Sequence, residues 1–310
     1  MSNQTVYIIG AGAIGKALAV FLKLGGKNVT LIRGSIDYQS SKNEKIEIEI
    51  SDKTVLVSLV EVNTLSHFTQ LDGIIVLTNK SFGNANVSQA LKGKTGTSPI
   101  VIMQNGLGVE QPFIDNDFPE IYRCVLFATS QTISNHALRF KPVAISPIGT
   151  IKGNGSHLIS IVDLLDNPNF HFKAVADIQT IIWKKAIANS VFNSICPLLE
   201  IDNGIFNRNE TALVIAKRVI HECVAIAKET GISLSAQEVV ESLLLISKSS
   251  DGQLISTLQD IRNKRKTEIE TLNFSIMTIA KKLGMEAMVA ETKLLGELTK
   301  LKSELNQLHQ

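Results

Sequence analysis

The feature that most constrains this chain is Gly10-Ala11-Gly12-Ala13-Ile14-Gly15, which follows the apolar run Val6-Tyr7-Ile8-Ile9 directly and leads into a helical pattern from Lys16 to Leu24. In a G-x-G-x-x-G loop each glycine answers a separate steric demand. The first permits the tight turn, the second lets the backbone approach a pyrophosphate, and the third lets helix and strand pack closely. The pyrophosphate then rests on N–H groups at the helix N-terminus. A bare match also occurs in glycine-rich turns of other α/β proteins, so the strand-loop-helix context carries the argument. Gly10, Gly12, Ala13, Ile14 and Gly15 are the expected cofactor contacts.

The texture that follows is α/β. Val6–Ile9, Val29–Ile32, Ile74–Leu77 and Ile100–Met103 are continuous apolar runs without alternation, as in buried parallel strands. Between them Ile46, Ile48 and Ile50 alternate with Glu47 and Glu49, and Thr54–Leu59 follows Ser51-Asp52-Lys53, which predicts an antiparallel hairpin with one wet face. Tyr122–Ala128, Ala137–Phe140 and Ala144–Ile151 read as further strands. From about Asp177 strand signals give way to helical periodicity over 178–192, 213–227, 236–246, 255–283 and 291–308, with Gly231 ending the second of these helices. The expectation is a Rossmann-type dinucleotide-binding domain over 1–176 and an all-α domain over 177–310.

Composition narrows the function. With 31 basic against 29 acidic side chains, a formal charge of +2, no global field draws the chain to nucleic acid or to an anionic membrane. No apolar run approaches the ~18 residues of a membrane span, and the first apolar stretch lacks the basic flank of a secretory signal. Cys124, Cys196 and Cys223 are widely spaced and in no CxxC pair, which suits a reducing compartment and predicts a cytoplasmic protein. The histidines at 67, 136, 157, 171, 221 and 309 form no ligand pair, so no metal is expected. The cluster Lys264-Arg265-Lys266 reads as a solvated helix face.

The second strand bears on which dinucleotide fits. An NAD site usually places Asp or Glu after it to accept from the ribose hydroxyls, whereas here Arg33 is followed by Gly34 and Ser35. A guanidinium presents a fork of donors to a 2′-phosphate, which favours NADP; the plainer alternative is a surface arginine at a strand end. Ligands of open parallel sheets collect at the carboxyl ends of strands, which singles out Lys80 and Asn105, though Asn-Gly is first of all a turn signal. In the helical half, Lys185, Asn189 and Asn193 recur every four residues as one polar column, either an outer face or a site flanked by apolar residues. Glu268 is a further acid that spacing alone does not separate from its neighbours.

The glycine loop, the Lys80 loop, Gln104-Asn105-Gly106-Leu107-Gly108, the Trp183-x-Lys185-x-x-x-Asn189-x-x-x-Asn193 helix, and Ser256-x-x-x-Asp260 leading to Thr267-Glu268-Ile269 occur in an order and spacing that resembles the ketopantoate reductase (2-dehydropantoate 2-reductase) family. The resemblance covers nearly the whole chain. It implies NADPH-dependent reduction of 2-dehydropantoate to pantoate, a step toward pantothenate and coenzyme A, in a cleft between a Rossmann domain and a helical one. It implies Lys185 as the catalytic lysine and general acid, and Glu268 as the active-site glutamate anchoring substrate. It further implies Asn189, Asn193 and Ser256 as substrate-binding groups, Lys80 and Asn105 on the cofactor side, and Arg33 at the 2′-phosphate. Family members of this type often form dimers, and the long helices fit either a homodimer paired across a two-fold axis or a stripe buried within one chain.

The chain departs from the family pattern at three places. Phe274 stands where the family commonly has glycine, Gly83 where it usually has Gln, and Gln253 near a position that is often Asn. These leave two alternatives open: a related reductase of another 2-keto or 3-hydroxy acid, and a non-enzymatic NADP-binding sensor. Retention of Lys185 and Glu268 argues against the sensor, which needs no proton donor.

Overall fold

A computed structural model describes residues 4–34, 38–134 and 136–308; Ser35 and His309 lie outside them. The chain divides into two compact units, Met1–Gln104 with Val109–Ile178, and Asn105–Gly108 with Gln179–Gln310.

The first unit carries, in order, β1 (Thr5–Ile9), α1 (Ala13–Leu24), β2 (Val29–Arg33), β3 (Lys42–Glu49), β4 (Val55–Thr64), β5 (Gly73–Leu77), α2 (Asn84–Leu91), β6 (Ile100–Ile102) and α3 (Gln111–Asp115). Then come β7 (Ile121–Cys124), β8 (Ala128–Thr132), β9 (Ala137–Pro142), β10 (Ser146–Lys152), α4 (Leu158–Leu165) and β11 (Phe172–Ala174). The strands form one sheet in the order β11-β10-β7-β6-β5-β1-β2-β4-β3-β9-β8. From β7 through β4 the pairings are parallel. Successive residues of the central strands enter opposite cores. Ile8, Leu31, Val76 and Val101 pack with Leu18 and Phe21 of α1 and Ile161 of α4, whereas Ile9, Ile32, Leu77 and Ile102 pack with Val87 of α2 and Phe113 of α3. Burial on both faces is why these runs are continuously apolar.

β3 and β4 form the expected antiparallel hairpin, with Ile46 opposite Ser58 and Glu49 opposite Val55. Its turn is set by the Thr54 N–H, which donates to Asp52 Oδ1 at 2.9 Å. Tyr122–Ala128, expected as one strand, is instead split between β7 and β8. Phe127 is drawn away between them: its N–H donates to Ser146 Oγ at 2.9 Å and its carbonyl accepts from Val143 at 2.8 Å.

The second unit is helical: α5 (Ile178–Leu199), α6 (Ile205–Arg208), α7 (Glu210–Glu229), α8 (Ala236–Ser249), α9 (Ser256–Arg262), α10 (Asn273–Lys282) and α11 (Ala290–Leu308). α5 runs past the expected end at Phe192, through Pro197. Asn209 caps α7 by accepting from Ala212 N–H, and Ser235 with Glu238 forms a capping box at α8.

The periodic stretch 255–283 is not one helix but two. After α9 the Lys264 N–H returns to Ile261 O at 2.9 Å and the Arg265 N–H to Asp260 O at 2.8 Å, with Lys264 at φ 54°. This is a Schellman closure with lysine in the left-handed position that glycine usually takes, so the sequence offers no stop signal there. The basic cluster 264–266 is thus a helix terminus and not a helix face. Arg265 pairs with Asp260 at 3.0 Å, and positive charge at a helix C-terminus is favourable.

The entry to α9 is fixed from a distance. Asp202 accepts from Arg208 at 2.7 Å and from the N–H groups of Gly204 (2.8 Å) and Gly252 (3.1 Å), and Asn203 N–H donates to Gln253 O at 2.9 Å. The hydrogen bond from Arg208 holds the Asp202 carboxyl down at about 2 against the opposing effect of burial. A depressed carboxylate stabilises the fold above its ordinary value, and that contribution is lost as pH falls toward 2. Asp202→Asn is expected to lower the melting temperature at pH 7, with the difference from wild type shrinking in scans carried down from pH 4 to pH 2. A difference that stays constant with pH would show that the charge has no part in it.

Candidate active site

The glycine loop has the geometry a dinucleotide demands. Gly10 stands at φ 121°, and a Cβ there would lie 2.3 Å from Asn79 N; a Cβ on Gly15 would lie 2.0 Å from Gly10 O. Thr78 Oγ1 donates to Gly10 O at 2.8 Å, Thr78 N–H to Ile9 O at 2.8 Å, and Gly10 N–H to Ile32 O at 2.8 Å. A Cβ on Gly12, in contrast, would meet no protein atom within 4 Å. Gly10 and Gly15 are therefore glycines for the protein's own packing, whereas Gly12 faces open space at the N-terminus of α1. The first intrahelical bond runs from Lys16 N–H to Gly12 O at 2.9 Å, which leaves the N–H groups of the first turn without intrahelical acceptors. Strand order reverses between β1 and β5, so the loop sits at the switch point where open sheets take ligands.

Arg33, at the end of β2, pairs with Glu44 of β3 at 2.6 Å. Lys42 and Lys16 approach the same carboxylate at 2.9 and 3.5 Å. Burial alone would raise the Glu44 pKa, but the hydrogen bond from Lys42 and the charges of Lys16, Lys42 and Arg33 overcome it and hold the group ionised. Three cations thus converge on one carboxylate.

Lys80 is exposed in the loop after β5. That loop is braced by a reciprocal amide pair: Asn84 Nδ2 donates to Gln104 Oε1 at 2.6 Å, and Gln104 Nε2 donates to Asn84 Oδ1 at 2.7 Å and to Asn79 O at 2.7 Å. Beneath it Arg123, 2% exposed on β7, pairs with Glu110 and donates to Gln104 O at 3.1 Å. Sequence reading missed Glu44, Asn84, Gln104 and Arg123 as supports. The one legible signal was an Arg inside an apolar strand run, which requires a buried acceptor.

In the helical unit Lys185 and Asn189 are half-buried on α5, and Asn193 is buried. The Asn193 side chain is engaged at both ends: Nδ2 donates to Asn189 O at 2.9 Å, while Oδ1 accepts from Thr257 Oγ1 at 2.7 Å and Ser256 Oγ at 3.4 Å. It thereby ties the start of α9 to the middle of α5, bringing Ser256, Asn189 and Asn193 together. Thr257 is the partner that sequence reading did not single out.

Asn105–Gly108 belongs to the helical unit and folds onto the segment carrying Glu268. Leu107 N–H donates to Thr271 O at 2.8 Å, and Ser275 Oγ donates to Leu107 O at 3.2 Å. Gly106 is at φ 101°, and a Cβ there would lie 2.5 Å from Thr271. Thr271 in turn donates through N–H and Oγ1 to Glu268 O, each at 3.1 Å. Half-buried Glu268 thus precedes a single 3₁₀ turn, Ile269–Thr271, pinned by this loop. Phe274 places its ring 5.3 Å from Lys300 Nζ, which also binds Glu270 at 2.7 Å. Gly83 precedes α2, and Gln253 is exposed with its carbonyl on Asn203. Among the described residues no group of three or more His, Cys, Asp or Glu could hold a metal ion, and no helix is long and apolar enough to cross a membrane.

Comparison with known proteins agrees along the length of the chain. The family model described as ketopantoate reductase PanE/ApbA matches residues 6–142, and that described as its C-terminal part matches 177–301. A 2-dehydropantoate 2-reductase of Pyrococcus abyssi is 27% identical over 283 residues, covering 91% of this chain and 93% of the relative. The fold matches a PanE/ApbA family ketopantoate reductase from Ralstonia eutropha at TM-score 0.83 and 20% identity, over 98% of this chain and 99% of that one. It also matches a dimeric ketopantoate reductase from Staphylococcus aureus at TM-score 0.81 and 19% identity, over 97% and 99%. Two family models matched in their proper order, on a glycine loop whose Gly12 is open to a ligand, place this chain among the oxidoreductases of the ketopantoate reductase family.

Proposed function

We propose that this chain reduces 2-dehydropantoate to pantoate with NADPH, and that it works as a cytoplasmic homodimer. The observation that carries the reading is the gathering of Ser256, Asn189 and Asn193 on α5 and α9 of a chain whose family is that of ketopantoate reductases. Its two units divide the labour. Gly12, Ala13 and Ile14 hold the pyrophosphate on the N-terminus of α1, where Gly10 and Gly15 let strand, loop and helix approach closely, with Lys80 and Asn105 as further contacts on the cofactor side. Arg33, with Lys16 and Lys42 gathered beside it on Glu44, offers a guanidinium fork to a 2′-phosphate, which carries about −1.5 to −2 at neutral pH.

When bound, the nicotinamide supplies a hydride to the ketone carbon of the substrate. Lys185 then stabilises the negative charge developing on the carbonyl oxygen and delivers the proton that completes the hydroxyl. Glu268 accepts a hydrogen bond from the substrate's hydroxyl, and Asn189 offers a donor to the substrate's carboxylate, with Ser256 beside it. Asn193 contributes to substrate binding by holding Ser256 in place. The Phe274 ring lies 5.3 Å from Lys300 Nζ.

The direct test follows NADPH absorbance with 2-dehydropantoate, with NADH and a panel of other 2-keto acids as controls. Preference for another acid would replace the substrate assignment, and tight NADPH binding without turnover on any acid would favour the sensor. Lys185→Ala is expected to cut turnover by roughly a hundredfold or more while leaving the NADPH Kd within about twofold; unchanged turnover would remove the lysine from the chemistry. Arg33→Ala should lower the preference for NADPH over NADH about tenfold, ~1.4 kcal/mol, as read from the ratio of kcat/KM values.

Gly12→Ala and Gly15→Ala separate binding from folding. Gly12→Ala should cost about 1 kcal/mol of stability or less, as a capping change, yet weaken NADPH binding roughly tenfold by calorimetry. Gly15→Ala should destabilise the fold itself by ~1–3 kcal/mol, because its Cβ would meet backbone. Equal loss of stability in the two variants would contradict this division of the glycines.

A further inference from the structure

Strand β3 breaks its own pattern at one position. Ile46 and Ile48 face inward from it at 0% exposure, and Glu44, two residues earlier on the same face, is 9% exposed with Val60 of β4 opposite. A position that served packing alone would continue the apolar face, because a buried carboxylate costs free energy unless cations and donors surround it. Here they do. Glu44 Oε1 accepts from Arg33 Nη2 at 2.6 Å and lies 2.9 Å from Lys42 Nζ, and Glu44 Oε2 lies 3.5 Å from Lys16 Nζ. Lys16 stands in the first turn of α1, which begins at Ala13, and Arg33 closes β2. One acid therefore links the helix of the glycine loop to the strand end that faces the adenosine ribose in folds of this kind.

An acid so placed treats the two nicotinamide dinucleotides differently. A 2′-phosphate that uses the Arg33 fork must share it with Glu44 and meets that carboxylate as a like charge. The Glu44 side chain is 9% exposed, so water and salt screen the repulsion poorly. The carboxylate also offsets part of the attraction that Arg33, Lys42 and Lys16 exert on a phosphate, and these same cations are what keep it ionised. The ribose 2′-hydroxyl of NADH carries no charge and meets no such repulsion. Neutralising Glu44 while keeping its shape therefore strengthens the binding of NADPH and leaves that of NADH nearly where it is.

We propose that Glu44 is a specificity-determining residue of the cofactor site, holding down the preference for NADPH by competing with the 2′-phosphate for Arg33, Lys42 and Lys16. The inference deepens the NADPH reading above and rests on it. Glu44→Gln in the full chain, titrated by calorimetry with NADPH and with NADH, should lower the NADPH Kd about tenfold and leave the NADH Kd within about twofold. Glu44→Asp keeps the charge and should hold the ratio of the two Kd values within about threefold of wild type. Glu44→Met continues the apolar face of β3 and carries the same expectation as Glu44→Gln, should the melting curve show the glutamine variant unfolded. A purely structural role for Glu44 would move both Kd values together, and a role confined to orienting Arg33 would raise the NADPH Kd in Glu44→Gln. Either result, or an unchanged ratio, overturns the inference while the NADPH site stands. Wild type that binds NADPH no tighter than NADH, with an NADPH Kd untouched by Arg33→Ala, would overturn the phosphate site itself and the inference with it.

Discussion

The first unit depends on a backbone approach that tolerates no side chain. Gly10, Gly15 and the start of the loop after β5 meet where a Cβ on Gly15 would fall 2.0 Å from a carbonyl oxygen. That contact lets α1 lie close over the sheet, and Thr78 locks it by donating to the carbonyls of Ile9 (3.3 Å) and Gly10 (2.8 Å). The placement of α1 and the open backbone at Gly12 follow from it. The alternation of core residues between the two faces, Ile8 to one and Ile9 to the other, supplies the hydrophobic burial that makes so close an approach stable.

The helical unit is organised by interruptions of its helices. α9 is closed by Lys264 in a left-handed conformation, and the chain then runs without regular helix to Asn273 apart from one 3₁₀ turn. A segment so short of intrahelical bonds needs acceptors and donors from elsewhere, and Asn105–Gly108 provides them. Gly106 can come close enough to Thr271 because it has no side chain, and Leu107 completes the bridge. Glu268 thus owes its place to a loop more than 160 residues earlier in the chain, as Ser256 owes its place to Asn193.

Local chemistry made the first unit legible. Continuous apolar runs identified the central strands, strict alternation identified the β3–β4 hairpin, and glycines at required positions identified the loop. The helices were legible as faces, but their ends were not where closure used an unusual residue: 255–283 read as one helix because lysine stands where glycine would have announced the stop. Tyr122–Ala128 read as one strand because its break depends on Ser146 and Val143, distant in sequence. Candidate site residues stand out as types at spacings, and the groups that brace them do not. Thr257, Asn84, Gln104 and Arg123 act through hydrogen bonds across 19 to 64 residues of sequence, which periodicity does not record.

The end of β2 shows why such supports matter to chemistry. Read along the strand, Arg33 stands alone where other sheets have an acid, and the contrast suggests a simple exchange of charge. The fold instead supplies the acid as well, eleven residues on, because β3 runs antiparallel to β4 and brings Glu44 back to the guanidinium. A carboxylate this buried would ordinarily favour its neutral form, and it stays ionised because Lys16, Lys42 and Arg33 converge on it from a helix and two strands. The guanidinium is oriented by its partner. The field at the end of β2 is that of an ordered cluster, a property of the hairpin's register and not of any one residue in it.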